Sequence, residues 1–193
     1  MTLVLIRHGQ AESNAAGVIG GARDYPLTEA GRDQARAAAR RLAGTQIDAI
    51  YASDLSRASE TASFIAELAG LEVIEHPALR ERSWGDAEGL TREQIAERFG
   101  AGVPRGQGLI PKEETHHTFL ARVAPVFREL HDRHREERVL VVAHAGTILA
   151  VLSEIIGLAP VRMPRFSIEN TSFTTIEGTD PPSLGAINDH AHL

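Results

Sequence analysis

Two histidines and two arginines stand next to the ends of apolar segments. His8 ends the segment TLVLIRH near the N-terminus, and His144 ends the segment VLVVAH further along the chain. Arg7 precedes the first histidine, and Arg57 follows a third apolar segment, AIYAS. The carboxyl ends of parallel strands meet at one edge of a sheet, where ligands bind. If these segments are parallel strands, two imidazoles and two guanidiniums converge there.

Such a cluster suits a phosphate dianion. Guanidinium forks match phosphate oxygens, and the backbone N–H groups of the turn at Gly9 and of the helix start at Ala145 add donors. A neutral imidazole attacks phosphorus through one nitrogen while an acceptor holds its other N–H. Because Arg7 and Arg57 disfavour protonation of His8, we expect His8 to be the nucleophile of a phosphoryl transfer.

Cleavage of a phosphate ester also requires a proton for the leaving oxygen. The segment LRERSWGDAEG, residues 79–89, follows the third predicted strand and contains three carboxylates. We choose Glu81 as the proton donor, which then activates the water that hydrolyses the phosphohistidine. Glu88 and Asp86 remain alternatives for this role.

The same motifs, taken in order, resemble the histidine phosphatase superfamily, also called phosphoglycerate-mutase-like, over almost the whole chain. A lone RHG is a weak signal, whereas the complete ordered set is specific. The matching blocks are RHGQ at 7–10, DYPLTEAG at 24–31, SDLSRA at 53–58, LRE at 79–81, HAG at 144–146, NTS at 170–172 and NDHAHL at 188–193.

The resemblance implies a role for each of these residues. His8 matches the nucleophile of the family, and Glu81 matches its proton donor. The residues that match its phosphate pocket are Arg7, Asn14, Arg57 and His144. The resemblance also implies catalysis without a metal or other cofactor, and a three-layer α/β/α sandwich with a mainly parallel central sheet.

The chain departs from the family pattern at a few positions. Ala11 stands where Thr or Ser is usual, Ser13 replaces a frequent aromatic residue, and Ala145 stands where glycine is usual. Glu114 and Thr115 lie where Gly-Glu-Ser is common. These departures affect the prediction of the substrate more than that of the chemistry.

Three residues are candidates for substrate selection. Arg82 follows the predicted acid, and His116 and His117 end the glycine-rich segment 100–117. Adjacent residues do not share a helix face, and His131 and His134 stand among charged residues. We therefore expect no metal site in this protein.

Apolar segments alternate with segments of helical periodicity, which predicts a mainly parallel sheet with helices on both faces. We predict one domain over residues 1–193, in which residues 79–117 form an inserted, partly irregular lid and specificity region. The predicted strands are residues 2–6, 47–51, 71–74, 139–143, 172–176 and 184–187. The predicted helices are residues 28–42, 55–68, 93–99, 115–134 and 146–156, the last closed by Gly157 and Pro160.

Composition excludes several classes of protein. Zero cysteines exclude disulfides and thiol phosphatases, and a net charge of −6 gives a nucleic-acid partner no support. No P-loop or dinucleotide-binding motif is present. No signal peptide or membrane-length apolar segment occurs either, so we expect a cytoplasmic protein without a membrane partner.

The expected partner is a small-molecule phosphate ester, and the frequency of symmetric dimers favours a homodimer.

Three functions remain open at this point. The first is a phosphomonoester hydrolase, and the second is a cofactor-dependent phosphoglycerate mutase that returns phosphate to the substrate. Mutases of this family usually carry a longer insertion than the residues 82–143 that separate Glu81 from His144 here, which favours the hydrolase. The third is a catalytically silent phospho-ligand-binding protein. A silent relative is expected to have lost one of the predicted catalytic residues, all of which are present.

Overall fold

The computed structural model describes residues 1–104, 106–156, 167–178 and 182–193. Its six-stranded sheet has the order β3-β2-β4-β1-β5-β6. The four strands β1 to β4 are parallel to one another. Strand β5 pairs antiparallel with β1, and β6 pairs antiparallel with β5. The strands are β1 (Thr2–Arg7), β2 (Ala49–Ala52), β3 (Val73–Glu75), β4 (Arg138–Ala143), β5 (Phe173–Glu177) and β6 (Ser183–Leu184).

Helices connect the parallel strands, because the chain must cross back over the sheet between one parallel strand and the next. The α-helices within the described residues are α1 (Glu12–Ala15), α2 (Glu29–Arg41), α3 (Ser56–Ala69), α4 (Arg92–Phe99), α5 (His116–Arg133) and α6 (Ala145–Ile156). Two short 3-10 turns, Pro77–Leu79 and Gly85–Ala87, follow β3.

The apolar central strand β4 separates two hydrophobic cores. Val139 and Val141 pack on one face with residues of α5 and α6, whereas Leu140 and Val142 pack on the other face with residues of α2 and α3. A strand that is buried on both faces needs apolar residues at every position. The predicted three-layer α/β/α sandwich with a mainly parallel sheet is therefore confirmed.

Capping residues set several of the helix ends. The Thr28 side chain accepts a hydrogen bond from the Gly31 N–H and so begins α2. Gly70 ends α3 with φ of 68°, in the left-handed region that glycine adopts without strain. Thr91 and Gln94 form a reciprocal capping box at the start of α4.

Residues 79–117 contain α4 and a small core of their own. Ala87, Ile95 and Ile110 are buried together, and an isolated bridge pairs Trp84 with Glu113. This packing fixes the segment that follows Glu81, although most of its backbone is irregular.

Several predicted boundaries shift by one to three residues. Strand β2 begins later than predicted, and β6 is shorter than the predicted strand 184–187. The short helix α1 was not predicted, because its N-cap is Ala11, which has no capping side chain. The predicted helix stop at Gly157 and Pro160 lies outside the described residues.

Candidate active site

His8 and His144 lie side by side at the carboxyl edge of the sheet. The register of β1 and β4 pairs Arg7 with Ala143, so the next residue of each strand brings the two imidazoles into contact. Their ring centroids are 5.1 Å apart, and the residues are only 4% and 1% exposed. The convergence of the two histidines that the sequence predicts is observed.

The Gly9 carbonyl determines which nitrogen of His8 carries the proton. His8 Nδ1 lies 2.7 Å from the Gly9 carbonyl oxygen. A carbonyl can only accept, so Nδ1 donates and Nε2 keeps its lone pair. Burial, followed by the positive charges of Arg7 and Arg57, lowers the pKa of His8 well below its usual value. The ring therefore stays neutral at neutral pH, as a nucleophile requires.

The hydroxyl of Ser53 orients His144. Ser53 Oγ lies 2.9 Å from His144 Nε2 and accepts from the Leu55 N–H at 3.3 Å. Its hydrogen can be donated to Nε2, and in that arrangement the ring proton is on Nδ1. Within the described part of the chain, this buried Nδ1 has no hydrogen-bond partner. A buried polar atom without a partner is rare, and an anion beside the two rings would satisfy it.

Both predicted guanidiniums reach the same region. Arg57 lies in the first turn of α3, is 2% exposed, and donates to the carbonyls of Gly21 at 2.7 Å and Arg23 at 2.9 Å. Arg7 donates from Nη1 to the Ile168 carbonyl at 2.5 Å, and its buried Nε is unpartnered among the described residues. Burial lowers the pKa of both groups. Desolvated cations gain most from a bound anion.

The turn at Gly9 supports His8 in a way that the sequence does not reveal. We predicted that the Gly9 N–H faces the phosphate, but it donates to Thr61 Oγ1 at 3.0 Å. Thr61 lies one turn after Arg57 on the buried face of α3, so it reaches this turn directly. A side chain at Gly9 would overlap the backbone of Gly31, which shows how closely α2 packs here.

Asn14 and Asn170 flank the same turn. Asn170 Nδ2 donates to the His8 carbonyl at 2.8 Å and lies 3.5 Å from Asn14 Oδ1. Asn14 Oδ1 also accepts from the Ala11 N–H at 2.9 Å. The structure thus brings Asn14 to the predicted pocket, and it adds Asn170, whose contact with His8 no sequence pattern indicates.

The Glu81 carboxylate lies against the start of α6. Its Oε2 accepts from the Gly146 N–H at 2.9 Å, and its Oε1 accepts from the Arg82 N–H at 2.8 Å. Its negative charge acts on both Arg7 and Arg57, where it opposes the lowering of their pKa values by burial. Glu81 therefore belongs to the cluster of histidines and arginines, next to Ala145.

The two alternative acids have other partners. Glu88 Oε1 accepts from the backbone N–H groups of Ala22 and Trp84, both at 2.9 Å. Asp86 forms an ion pair with the exposed Lys112 at 3.0 Å. Geometry thus favours Glu81 over both alternatives, because its carboxylate lies at the helix start that follows His144.

Two of the three candidate selectivity residues come together in the inserted region. Arg82 is buried, stacks over the Trp84 ring at 4.6 Å, and lies 3.2 Å from His116 Nδ1. Burial and the Arg82 charge lower the pKa of His116. His117 is solvent exposed, since neighbouring helix residues point in different directions.

The described residues contain neither a candidate metal site nor a membrane-spanning helix. Within them, no three His, Cys, Asp or Glu side chains are grouped so that they could hold a metal ion. No helix in the same ranges has the length and apolar character needed to cross a membrane.

Sequence comparison places the chain among known enzymes. The family model of the histidine phosphatase superfamily (branch 1) matches residues 3–187. A 2,3-bisphosphoglycerate-dependent phosphoglycerate mutase of Brucella canis is 39% identical in an alignment of 176 residues, and the match covers 82% of this chain and 83% of the mutase. A protein of the same name from Bartonella henselae is 37% identical in an alignment of 169 residues, and the match covers 81% of this chain and 82% of the mutase.

Structural comparison finds phosphatases among the solved structures. A mycobacterial glucosyl-3-phosphoglycerate phosphatase in complex with VO3 superposes with a TM-score of 0.88 and 33% identity, and the match covers 97% of this chain and 98% of the other. A mutant phosphoserine phosphatase from Entamoeba histolytica, in complex with phosphoserine, gives a TM-score of 0.85 and 28% identity, with 100% and 98% covered.

Proposed function

Since the chain belongs to the histidine phosphatase superfamily, we propose that it hydrolyses small phosphomonoesters through a covalent phosphohistidine on His8. One observation carries this proposal. The Gly9 carbonyl accepts a hydrogen bond from the Nδ1–H of His8 at 2.7 Å, so the lone pair of the neutral ring is on Nε2. Burial and the positive charges of Arg7 and Arg57 keep the ring neutral by lowering its pKa. An imidazole in this state, between two guanidiniums, is a nucleophile for phosphorus.

In the first step, His8 Nε2 forms a bond to phosphorus while the bond from phosphorus to the leaving oxygen breaks. Glu81 gives its proton to that oxygen, so the product leaves as a neutral alcohol. The Nδ1–H of His144 donates a hydrogen bond to the transferred phosphoryl group, and Arg7 and Arg57 neutralise its charge. Such fixed positive groups are the main source of catalysis in phosphoryl transfer.

In the second step, water attacks the phosphohistidine. Glu81 is now a carboxylate and takes a proton from the water as its oxygen bonds to phosphorus. The bond from phosphorus to Nε2 breaks, and the histidine returns to its neutral form. Inorganic phosphate is the product, and the site is ready for another ester without any added cofactor.

The second candidate is a phosphoglycerate mutase, which the identity to the Brucella canis and Bartonella henselae mutases favours. It would use the same pocket but return the phosphoryl group to a phosphoglycerate hydroxyl. The coverage of the phosphatase structures, at 97% or more of each chain, supports hydrolysis.

The experiment compares the two outcomes directly. The protein is incubated with 3-phosphoglycerate, with and without a bisphosphorylated primer, and with simple alkyl and aryl phosphates, each with and without EDTA. We expect phosphate release that needs neither the primer nor a metal. Primer-dependent formation of 2-phosphoglycerate would establish the mutase, and loss of activity with EDTA would contradict the mechanism.

Two variants test the covalent intermediate. Substrate labelled in its phosphoryl group should leave an acid-labile, alkali-stable label on the wild-type protein and on His117→Asn, whose ring is exposed. The label should be absent from His8→Asn. Equal turnover by the wild type and His8→Asn would overturn the proposal, and absence of turnover in both, with tight phosphate binding, would indicate the silent binding protein.

A further inference from the structure

Arg122 lies on α5, outside the group of residues assigned to the phosphate, yet its guanidinium is fully engaged. Nε and Nη2 donate to the two carboxylate oxygens of Glu114 at 2.9 and 2.8 Å. The remaining donors bind the backbone carbonyls of Ala78 at 2.9 Å, Arg80 at 2.8 Å and Glu81 at 3.2 Å. Each of the five N–H groups of an arginine therefore has an acceptor.

This network holds the chain on both sides of the Glu81 side chain. Arg122 fixes the carbonyls that precede and include Glu81, and Glu114 Oε2 accepts from the Ser83 N–H at 3.2 Å. The Arg122 and Glu114 side chains are only 27% and 14% exposed, so solvent competes weakly for these hydrogen bonds. A bidentate, partly buried pair of this kind has a well-defined geometry.

If Arg122 only supported the fold, it would act on the backbone that precedes Glu81. That backbone is already attached to the rest of the protein by other contacts. Leu79 is fully buried in the core, and Thr147 Oγ1 on α6 donates to the carbonyls of Leu79 at 3.3 Å and Arg80 at 3.4 Å. The segment is thus tied to the fold without α5. What Arg122 and Glu114 add is the position of the backbone from Arg80 to Ser83, which carries the acid.

We propose that Arg122, held by Glu114, is the positioning residue for the proton donor Glu81, an inference that rests on the proposed function. Arg122 is not in contact with the phosphoryl group and takes no proton. It sets where the Glu81 carboxyl stands when the bond to the leaving oxygen breaks. Its loss should therefore slow the reaction of esters whose leaving group needs a proton, and should spare esters whose leaving group departs as a stable anion.

The test measures kcat/KM, which reports formation of the phosphohistidine, for a series of esters from alkyl to p-nitrophenyl phosphate. For Arg122→Lys and Arg122→Gln we expect an alkyl phosphate to lose about 100-fold, the scale of general acid catalysis. A p-nitrophenyl ester should lose a few-fold at most, so the dependence on leaving-group pKa becomes steeper. Arg122→Lys should not restore the rate with alkyl phosphates, because an ammonium group cannot reproduce the planar array of donors of a guanidinium.

Arg128→Gln is the matched control, since Arg128 lies on the same helix, is 69% exposed, and pairs only loosely with Glu154 at 3.6 Å. It should behave as the wild type with every ester. If the Arg122 variants do not fold, Glu114→Gln replaces them, because it preserves the side-chain volume. It should also make the dependence of kcat/KM on leaving-group pKa steeper. Thermal unfolding and vanadate affinity show whether each variant retains its structure and phosphate site.

A double mutant separates positioning from stability. In a Glu81→Gln background there is no acid left to position, so adding Arg122→Gln should cause no further loss that depends on the leaving group. Equal losses of kcat/KM for alkyl and aryl esters, or additive effects in the double mutant, would overturn the inference about Arg122. Neither result would contradict the proposed phosphatase activity. A wild type that hydrolyses none of these esters would instead refute the proposed function.

Discussion

The Glu81 carboxylate accepts a hydrogen bond from the Gly146 N–H at 2.9 Å, across a sequence separation of 65 residues. Gly146 lies two positions after His144, so the acid and the second histidine are held by the same helix start. A helix N-terminus offers free N–H groups and a partial positive charge. The carboxyl group of Glu81 is therefore positioned by the backbone of the helix that follows His144.

Gly146→Ala should displace the acid without unfolding the protein. A Cβ atom at this position would overlap the carboxyl group of Glu81, which is the mobile end of a side chain and moves aside. A displacement of this kind should lower kcat/KM for alkyl phosphates by about 10- to 100-fold, with a small change in melting temperature. Gly185→Ala is the control, because a Cβ there makes only ordinary contacts. Wild-type kinetics in Gly146→Ala would contradict the placement of Glu81.

Glu81→Gln and Glu88→Gln should separate catalysis from stability. The first removes the proposed proton and should lower kcat/KM for alkyl phosphates by about 100-fold or more. The second keeps an amide oxygen for the N–H groups of Ala22 and Trp84, and should lower the free energy of unfolding by about 1 kcal/mol while activity stays close to that of the wild type. Kinetics with several esters and urea unfolding measure both effects, and the reverse ranking would assign the acid to Glu88.

The two buried histidines should make the protein less stable in acid. Burial first, then neighbouring positive groups, lowers the folded-state pKa of His8 and of His144. Below the unfolded-state pKa of about 6.5, the unfolded chain binds protons that the folded protein excludes. The free energy of unfolding should therefore fall as the pH drops below that value, by about 1 kcal/mol per pH unit for each histidine.

Urea unfolding between pH 5 and pH 8 checks this dependence. His144→Gln should show a shallower loss of stability in acid than the wild type, since one of the two histidines is gone. His117→Gln, which changes an exposed ring, should keep the wild-type dependence. Identical slopes in the wild type and His144→Gln would show that the His144 ring is protonated in the folded protein.

Ser53→Ala should weaken both stability and phosphate binding. The change leaves the buried Nε2 of His144 without its partner at 2.9 Å, which costs about 1 to 3 kcal/mol, and it frees the ring to adopt the wrong tautomer. Vanadate affinity should fall together with the free energy of unfolding. The control is Ser172→Ala, because Ser172 is equally buried and its Oγ has no partner within the described ranges. Equal vanadate affinity in both variants would refute the role of Ser53.

The strand ends and the helix caps were predictable because they depend on neighbouring residues. The N-cap at Thr28 and the C-cap at Gly70 follow from local backbone preferences. Strand β4 is apolar at almost every position, which identifies it as central. The antiparallel addition of β5 was not predictable in the same way, because strand direction depends on how the chain returns to the sheet.

The sequence by itself determined which chemical groups stand at the sheet edge. Parallel strands that end in His8 and His144, with Arg57 opening the next helix, must bring these side chains together once the strands pair. The segment after the third predicted strand offered three carboxylates for the acid, of which we chose Glu81, and the family motifs matched the same residues.

Only the tertiary structure decided how each group is held. Thr61 takes the Gly9 N–H, Ser53 orients His144, and Arg122 gathers the carbonyls around Glu81. These contacts join residues that are 41 to 91 positions apart. No local pattern encodes such contacts, because their partners meet only when helices on opposite faces of the sheet pack against the same strand ends.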